Sequence, residues 1–429
     1  MLTPQQIVDI IETMYPRIDE LNTWITTDLI KRVMARIGRG ELYMTSTDDW
    51  QLKAYQEAGG HLEAVQADIQ KWTNATNEEI KQIFEDAGIK ALAYDSAFYT
   101  SHGLEGFNIK QSESMIRLLT DCYERTCGTI ENFTRTTASA SQKKLIDVLD
   151  SAHFKVNSGA TSYTQAVSDA LHDIVDTQTK VEYPTGHVDT IETAVLRAVR
   201  TGVAQAAGNM AVQGMIERDW DVILVSAHLG ARYGDGGENP SNHFWWQGKF
   251  YSRTGRTPEL PDFIKSTGYG TGEGLCGWNC RHSFGPGDLE HNPFKDYDEE
   301  DNRKAYDLSQ KQRAMERRIR HTKTKLVALR EASETTEDTE AKSSIEEQYY
   351  NTAKLLQKQN IQYNNFCEVN NLRPLSDRIQ IAKWTRDDSK KSLAVGRKIK
   401  SEHKNWSNEL GINTEVNDLE KYYKMKYNK

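Results

Sequence analysis

The chain is poor in residues that stop helices and in residues that cross-link a fold. It has nine prolines among 429 residues, and five of them lie between Pro240 and Pro293. The flanks are therefore open to long helices. Five cysteines (Cys122, Cys127, Cys276, Cys280 and Cys367) are too few for a disulfide framework in a chain of this length. An odd count suits free thiols in a reducing compartment. No run of about 18 apolar residues occurs, so a membrane-spanning helix is excluded and no membrane partner is expected. An excess of positive charge is also missing. The formal charge of −8 argues against a nucleic-acid coat over the whole surface and leaves room only for a local basic face. The start, Met1-Leu-Thr-Pro-Gln-Gln, reads as a helix with Thr3 as N-cap and Pro4 in the first turn, not as a secretory leader.

What is present is mostly helical texture. Ile7, Ile10, Ile11 and Met14 form an apolar stripe at helical spacing. Leu21, Ile25, Leu29, Ile30 and Val33 form another, which Gly38-Arg-Gly40 should end. Gln51 to Ile83 reads as a long amphipathic helix with breaks near Gly59-Gly60 and Thr73-Asn74. Met115 to Ile130 and then Leu145 to Ile174 continue the helical period. Asp189 to Asp219 is a further helix, and its Gly202, Gly208 and Gly214 imply close backbone packing, because each glycine costs about 1 kcal/mol inside a helix.

The texture changes at Trp220-Asp-Val-Ile-Leu-Val-Ser-Ala227, a β-branched run that predicts a central strand. Phe244 to Ser252 predicts a second, aromatic strand or hairpin. Gly-rich loops follow, ending in GLCGWNCRHSFGPG from Gly274 to Gly287. Beyond Pro293 the chain is charged and helical again. Lys311 to Arg330 holds eight Lys or Arg against the single acid Glu316. An acidic stretch, Glu331 to Glu340, predicts a turn before a second helix from Ser343 to Asn370. The expected fold is mainly α with a central α+β domain: long helices flanking a small sheet with Gly-rich loops, and a charged C-terminal helical hairpin. The expected division is 1–137 (N-terminal helical region), 138–292 (central α+β domain) and 293–429 (charged hairpin and tail).

Two segments carry candidate chemistry. Cys276, Cys280 and His282, with His228 or His243 as a fourth, offer sulfur and nitrogen donors for zinc. Three residues between the cysteines is a poorer template than Cys-x-x-Cys. The plainer expectation is that Cys276, Trp278 and Cys280 pack as apolar residues, that Asn279 bonds nearby backbone and that the glycines supply positive φ angles, with no cofactor. A catalytic Cys280 would need a base from elsewhere in the fold. A nuclease- or toxin-like site would draw on His228, Arg232, Glu238, His243 and Glu273; no enzyme is the favoured reading. Arg197 and Arg200 share a helix face and are expected to pair with Asp219, Asp221 or loop carbonyls. The second segment is the basic helix. Arg313, Arg317, Arg318, Arg320, Lys323 and Lys325 would contact DNA phosphates, an acidic partner surface or the chain's own acidic return helix.

Five blocks together resemble the phage minor capsid protein 2 family. They are Arg197-Ala-Val-Arg-Thr-Gly-Val203, Val225-Ser-Ala-His-Leu-Gly-Ala-Arg232, Trp246-Gln-Gly-Lys-Phe-Tyr-Ser252, Gly268 to Ser283 with Trp278 and Asn279, and Tyr306 to Arg320. The family is distantly similar to Mu F-type head morphogenesis proteins, many of which carry a cysteine where this chain has His282. The resemblance implies a minor head protein of a tailed phage or prophage. Its partners would be the portal protein, capsid or scaffold proteins and packaged double-stranded DNA. It would reside in the virion, and in the host bacterial cytoplasm during assembly, and would assist head morphogenesis, DNA packaging or ejection.

Overall fold

The computed structural model describes residues 1–37, 47–107, 112–177, 180–183 and 185–410. The helix stop expected at Gly38-Arg-Gly40 and the tail 411–429 lie outside them. Eleven α-helices and five short strands follow in order among the described residues. They are α1 (Pro4–Glu12), α2 (Tyr15–Ile37), α3 (Thr47–Ser101), α4 (Glu113–Asn157), α5 (Tyr163–Thr177), β1 (Lys180–Glu182), β2 (Val188–Thr190) and α6 (Ile191–Glu217). Then come β3 (Val222–Val225), α7 (His243–Trp246), β4 (Phe250–Ser252), α8 (Phe263–Thr267), β5 (Phe284–Pro286), α9 (Glu299–Thr335), α10 (Thr339–Val369) and α11 (Arg386–Leu410). The chain is mainly α with a small sheet, as its composition implied.

Packing groups the residues into two compact units, each assembled from segments distant in sequence. Unit 1 comprises Met1–Ile18, Ile69–Thr136 and Val181–Gln310; unit 2 comprises Asp19–Asp68, Thr137–Lys180 and Lys311–Lys429. The sequence division follows composition instead, and its boundary at 137/138 falls inside α4.

Unit 1 is built around α6 and a three-stranded antiparallel sheet in the order β4-β3-β5. β3 is the central strand, with Ile223 opposite Tyr251 on one side and Pro286 on the other. Pro286 lies on the edge strand β5, where its missing donor costs no ladder bond. Tyr99, Met215, Ile223, Val225, Trp246, Tyr251, Phe263, Leu275 and Phe284 form its core. The glycines of α6 are there for close approach. A Cβ on Gly202 would stand 2.1 Å from Thr126 Oγ1, and one on Gly214 would stand 2.5 Å from Phe107 Cζ. At the start of α1, Thr3 Oγ1 accepts from Gln6 N at 3.2 Å while Gln6 Oε1 accepts from Thr3 N at 2.8 Å, a reciprocal capping box.

Unit 2 packs Ile319 and Leu326 of α9 against Ala353, Leu356, Tyr363 and Cys367 of α10. Tyr363 Oη lies 3.0 Å from Glu316 Oε1, and Gln312 Nε2 donates to Tyr363 Oη at 3.3 Å, which ties one end of this packing with polar bonds. Asp338 caps α10 by accepting from Ala341 N at 2.8 Å.

Three sequence expectations are corrected. α3 runs unbroken through Gly59-Gly60 and Thr73-Asn74. Arg32 Nη2 donates to the Gly60 carbonyl at 3.1 Å, and Thr73 and Thr76 are buried; tertiary contacts outweigh the local propensities. The aromatic run from Phe244 is not a strand throughout. It begins as the short helix α7, capped by Asn242 Oδ1 on Trp245 N, and becomes strand only at Phe250. The acidic stretch is not all turn: α9 continues to Thr335, with Glu331 held by Lys31 at 3.1 Å.

Candidate functional site

The loops after β3 and before β5 converge in unit 1. Their closeness depends on glycines without side chains. A Cβ on Gly274 would sit 2.3 Å from the Gly268 carbonyl oxygen, and one on Gly277 would sit 2.4 Å from that of Gly272. These glycines serve close approach and not positive φ, which corrects the sequence reading. Within the Gly274–Gly287 segment the left-handed conformations fall on Cys276 (φ 60) and Asn279 (φ 57). Asparagine tolerates that region; cysteine enters it at a cost.

The corner brings polar side chains together in the core. His243, Cys280 and His282 are all buried, and their ligand-capable atoms lie within 4.8 Å of one another. His282 Nδ1 is 3.7 Å from Cys280 Sγ, and His282 Nε2 is 3.0 Å from Gln247 Oε1. Gln247 Oε1 also accepts from the His228 backbone N–H at 3.0 Å. Arg232 Nη2 reaches His243 Nε2 at 2.7 Å, the Trp278 carbonyl at 3.2 Å and the Glu273 carbonyl at 3.3 Å. The His228 ring stacks on His282 at 4.5 Å with an interplanar angle of 25°.

Electrostatics keep the cluster neutral near pH 7. Burial, reinforced by the Arg232 charge, lowers the His243 pKa to about 3. Burial lowers that of His228 to about 4, and burial together with the neighbouring imidazoles places His282 well below its usual range. Burial also raises the thiols of Cys280 and Cys276. An activated catalytic thiolate needs the opposite shift.

The sequence candidates therefore divide. Cys280 and His282 join His243, the alternative fourth donor. Cys276 is buried nearby, its Sγ 3.9 Å from the His282 carbonyl, but it is outside the mutual group. His228 stacks on the cluster without belonging to it. Trp246 is fully buried and its Nε1 donates to the Pro240 carbonyl at 3.0 Å, whereas Trp278 is 55% exposed, contrary to its expected packing. Asn279 accepts from Arg200 Nη1 at 3.1 Å through its side chain, not from nearby backbone. Arg197 pairs with Asp189 and Tyr183 Oη, at 2.5 and 2.6 Å, and not with Asp219 or Asp221. Those acids are taken: Asp219 by Arg256 at 2.7 Å, and Asp221 by the hydroxyls of Ser252, Thr254 and Thr257. Arg197 and Trp278 also line a cavity of about 720 Å³ with Phe133, Tyr183 and Arg125, which the sequence did not signal because its walls come from four separated segments.

In unit 2 the basic helix is turned inward over much of its length. Arg320 Nη1 donates to the Arg378 carbonyl, and Lys323 Nζ donates to the Ile379 carbonyl at 2.7 Å while lying 5.3 Å from the Trp384 ring. Lys325 Nζ is 2.9 Å from His172 Nδ1. Burial lowers the Lys323 pKa to about 8. Arg317 and Arg318 are exposed and Arg313 is half-buried. The same unit holds Asp28, His61 and Ser141 in series. His61 Nδ1 is 2.6 Å from Asp28 Oδ2, and its Nε2 is 3.1 Å from Ser141 Oγ. This is the order of a hydrolase triad, but His61 and Ser141 are buried among helices, and Ser141 Oγ also donates to the Ala138 carbonyl at 2.8 Å. It reads as a satisfied internal network.

The family model of phage minor capsid protein 2 matches residues 2–356. The chain belongs to that family. The match runs through both units, from α1 into α10, and makes the protein a structural component of a phage virion. No curated protein and no solved structure matches the chain. Among the described residues no helix is long and apolar enough to cross a membrane.

Proposed function

We propose that this minor capsid protein docks on the portal and assists head morphogenesis, assembling in the host bacterial cytoplasm and remaining in the virion. The observation that carries this reading is the direction of the basic side chains of α9. A phosphate grip needs its cations at the surface, yet Arg320, Lys323 and Lys325 bond to groups of their own unit. Arg317 and Arg318 stay available to an acidic protein surface. Contact with packaged DNA, and a share in packaging or ejection, is secondary in this account. The buried, raised thiol of Cys280 supports a structural site over a nucleophilic one.

Co-sedimentation of the purified chain with the neighbouring portal protein tests the proposal. Binding that survives nuclease treatment is expected. Binding that disappears with the nucleic acid would replace this reading with the DNA-accessory one.

A further inference from the structure

We propose that His243, Cys280 and His282 form a zinc(II) site. The ligand set differs from the one that motif spacing suggests, because it draws on one cysteine of the pair and on a histidine 37 positions before it.

Geometry carries the proposal. Two ligands of one tetrahedral zinc ion lie about 3.3–3.8 Å apart, given bond lengths of about 2.0–2.3 Å. The His282 Nδ1 to Cys280 Sγ separation, 3.7 Å, is already close to that value. All three donor atoms fall within 4.8 Å of one another, so movements of about 1 Å bring them onto one ion. Two imidazoles and a thiolate form a mixed N/S set that suits a borderline-soft dication.

The surroundings orient the donors as an outer shell does. Gln247 Oε1 accepts from the His228 backbone N–H, which identifies it as the amide oxygen. It therefore accepts from His282 Nε2–H, and the Nδ1 lone pair is left facing Cys280 Sγ. His243 Nε2 lies 2.7 Å from Arg232 Nη2 and 2.8 Å from Glu273 O, so binding through Nδ1 puts the proton on Nε2, directs it to the Glu273 carbonyl and requires the Arg232 contact to open. The left-handed backbone at Cys276 and Asn279 turns the chain at this corner and carries Cys280 and His282 inward.

Two candidates are excluded from the set. His228 lies face to face with His282, so its in-plane lone pairs run beside the shared point and not toward it. Cys276 Sγ is outside the mutual group. The Arg232 guanidinium opposes a dication here, and the Cys280 thiolate supplies the compensating charge. On binding, the Cys280 S–H bond breaks, the sulfur–metal bond forms and one proton leaves to solvent.

The test uses the full chain, stripped with chelator and reloaded with Zn²⁺ or Co²⁺. One metal per chain is expected by mass spectrometry, with a thiolate-to-cobalt charge-transfer band in the Co²⁺ form. Cys280→Ser should abolish the band, and both Cys280→Ser and His243→Ala should weaken binding at least ~10-fold. Cys276→Ala and His228→Phe should retain the band and the affinity. Should the Cys280 variant fail to fold, X-ray absorption of the zinc-loaded wild type reads the shell directly, and one sulfur with two imidazoles is expected. Substoichiometric metal, a sulfur-free shell, or a band that follows Cys276 would overturn the proposal.

Discussion

The corner of unit 1 and the basic helix of unit 2 solve the same problem in opposite ways. Both place polar side chains inside a core. In the corner, glycines let backbone segments approach to van der Waals contact, and the polar groups meet one another: imidazole, thiol, guanidinium and amide. In the helix, long cationic stems reach across apolar surface, and their heads end on backbone carbonyls near Arg378 and Ile379. The first arrangement leaves no room for a single added carbon atom, since a Cβ on Gly274 or Gly277 would meet backbone. The second is tolerant, because a flexible stem can move aside. A row of cations on a helix therefore specifies neither an exposed face nor a nucleic-acid partner until each head group's acceptor is known.

The sharpest way to break this contrast is to add a methyl group on each side. Gly277→Ala in unit 1 places Cβ 2.4 Å from a carbonyl oxygen that belongs to backbone. A loss above about 3 kcal/mol in denaturant unfolding is expected. Gly396→Ala, on α11 of unit 2, meets only the flexible Gln357 side chain, its Oε1 at 2.9 Å and its Cδ and Cγ at 3.2 Å, and gains helix propensity; a change within about 1 kcal/mol is expected. Equal effects would remove the distinction.

Next in size is Asp388→Ala. Asp388 is buried, accepts from Thr385 N at 2.9 Å and from Thr385 Oγ1 at 2.7 Å, and pairs with Arg330. Its removal strands part of the Arg330 charge, and a loss of about 3 kcal/mol is expected by the same measurement.

Lys323 gives a smaller, pH-dependent effect. Its folded pKa, about 8, is below the unfolded value near 10.4, so the unfolded chain binds more protons between those limits. Stability of unit 2 therefore rises as pH increases from about 8 toward 10. Differential scanning fluorimetry should show an upward trend of a few degrees that is absent in Lys323→Met. The smallest effect is expected for the double variant Arg317→Gln, Arg318→Gln. Both side chains are exposed, and stability should change by less than about 0.5 kcal/mol while portal binding weakens.

These contrasts show how far the sequence was legible. Helical periods located α1, α6, α9 and α10, because a buried stripe recurs wherever a helix lies on a core. β3 stood out because its four residues, Val222–Val225, are uniformly apolar and central. The unbroken α3 was hidden, since Gly59-Gly60 reads as a break unless Arg32 is known to bind there. β1 and β2, at three residues each, are too short to carry a period. The corner could be found from its cysteines and glycines. Its partners are His243, which the sequence offered only as one of two alternative fourth donors, and Gln247, inside the aromatic run Phe244 to Ser252, where spacing alone does not reveal its bond to His282. The direction of the basic side chains was not legible at all, because it depends on carbonyls more than 50 residues away in sequence.

The most direct measurement of the central claim is the amount of this protein in phage heads assembled without DNA packaging, compared with filled heads by quantitative mass spectrometry. Docking on the portal through protein contacts predicts the same copy number in both. Absence from the DNA-free heads, with normal levels in filled ones, would contradict it.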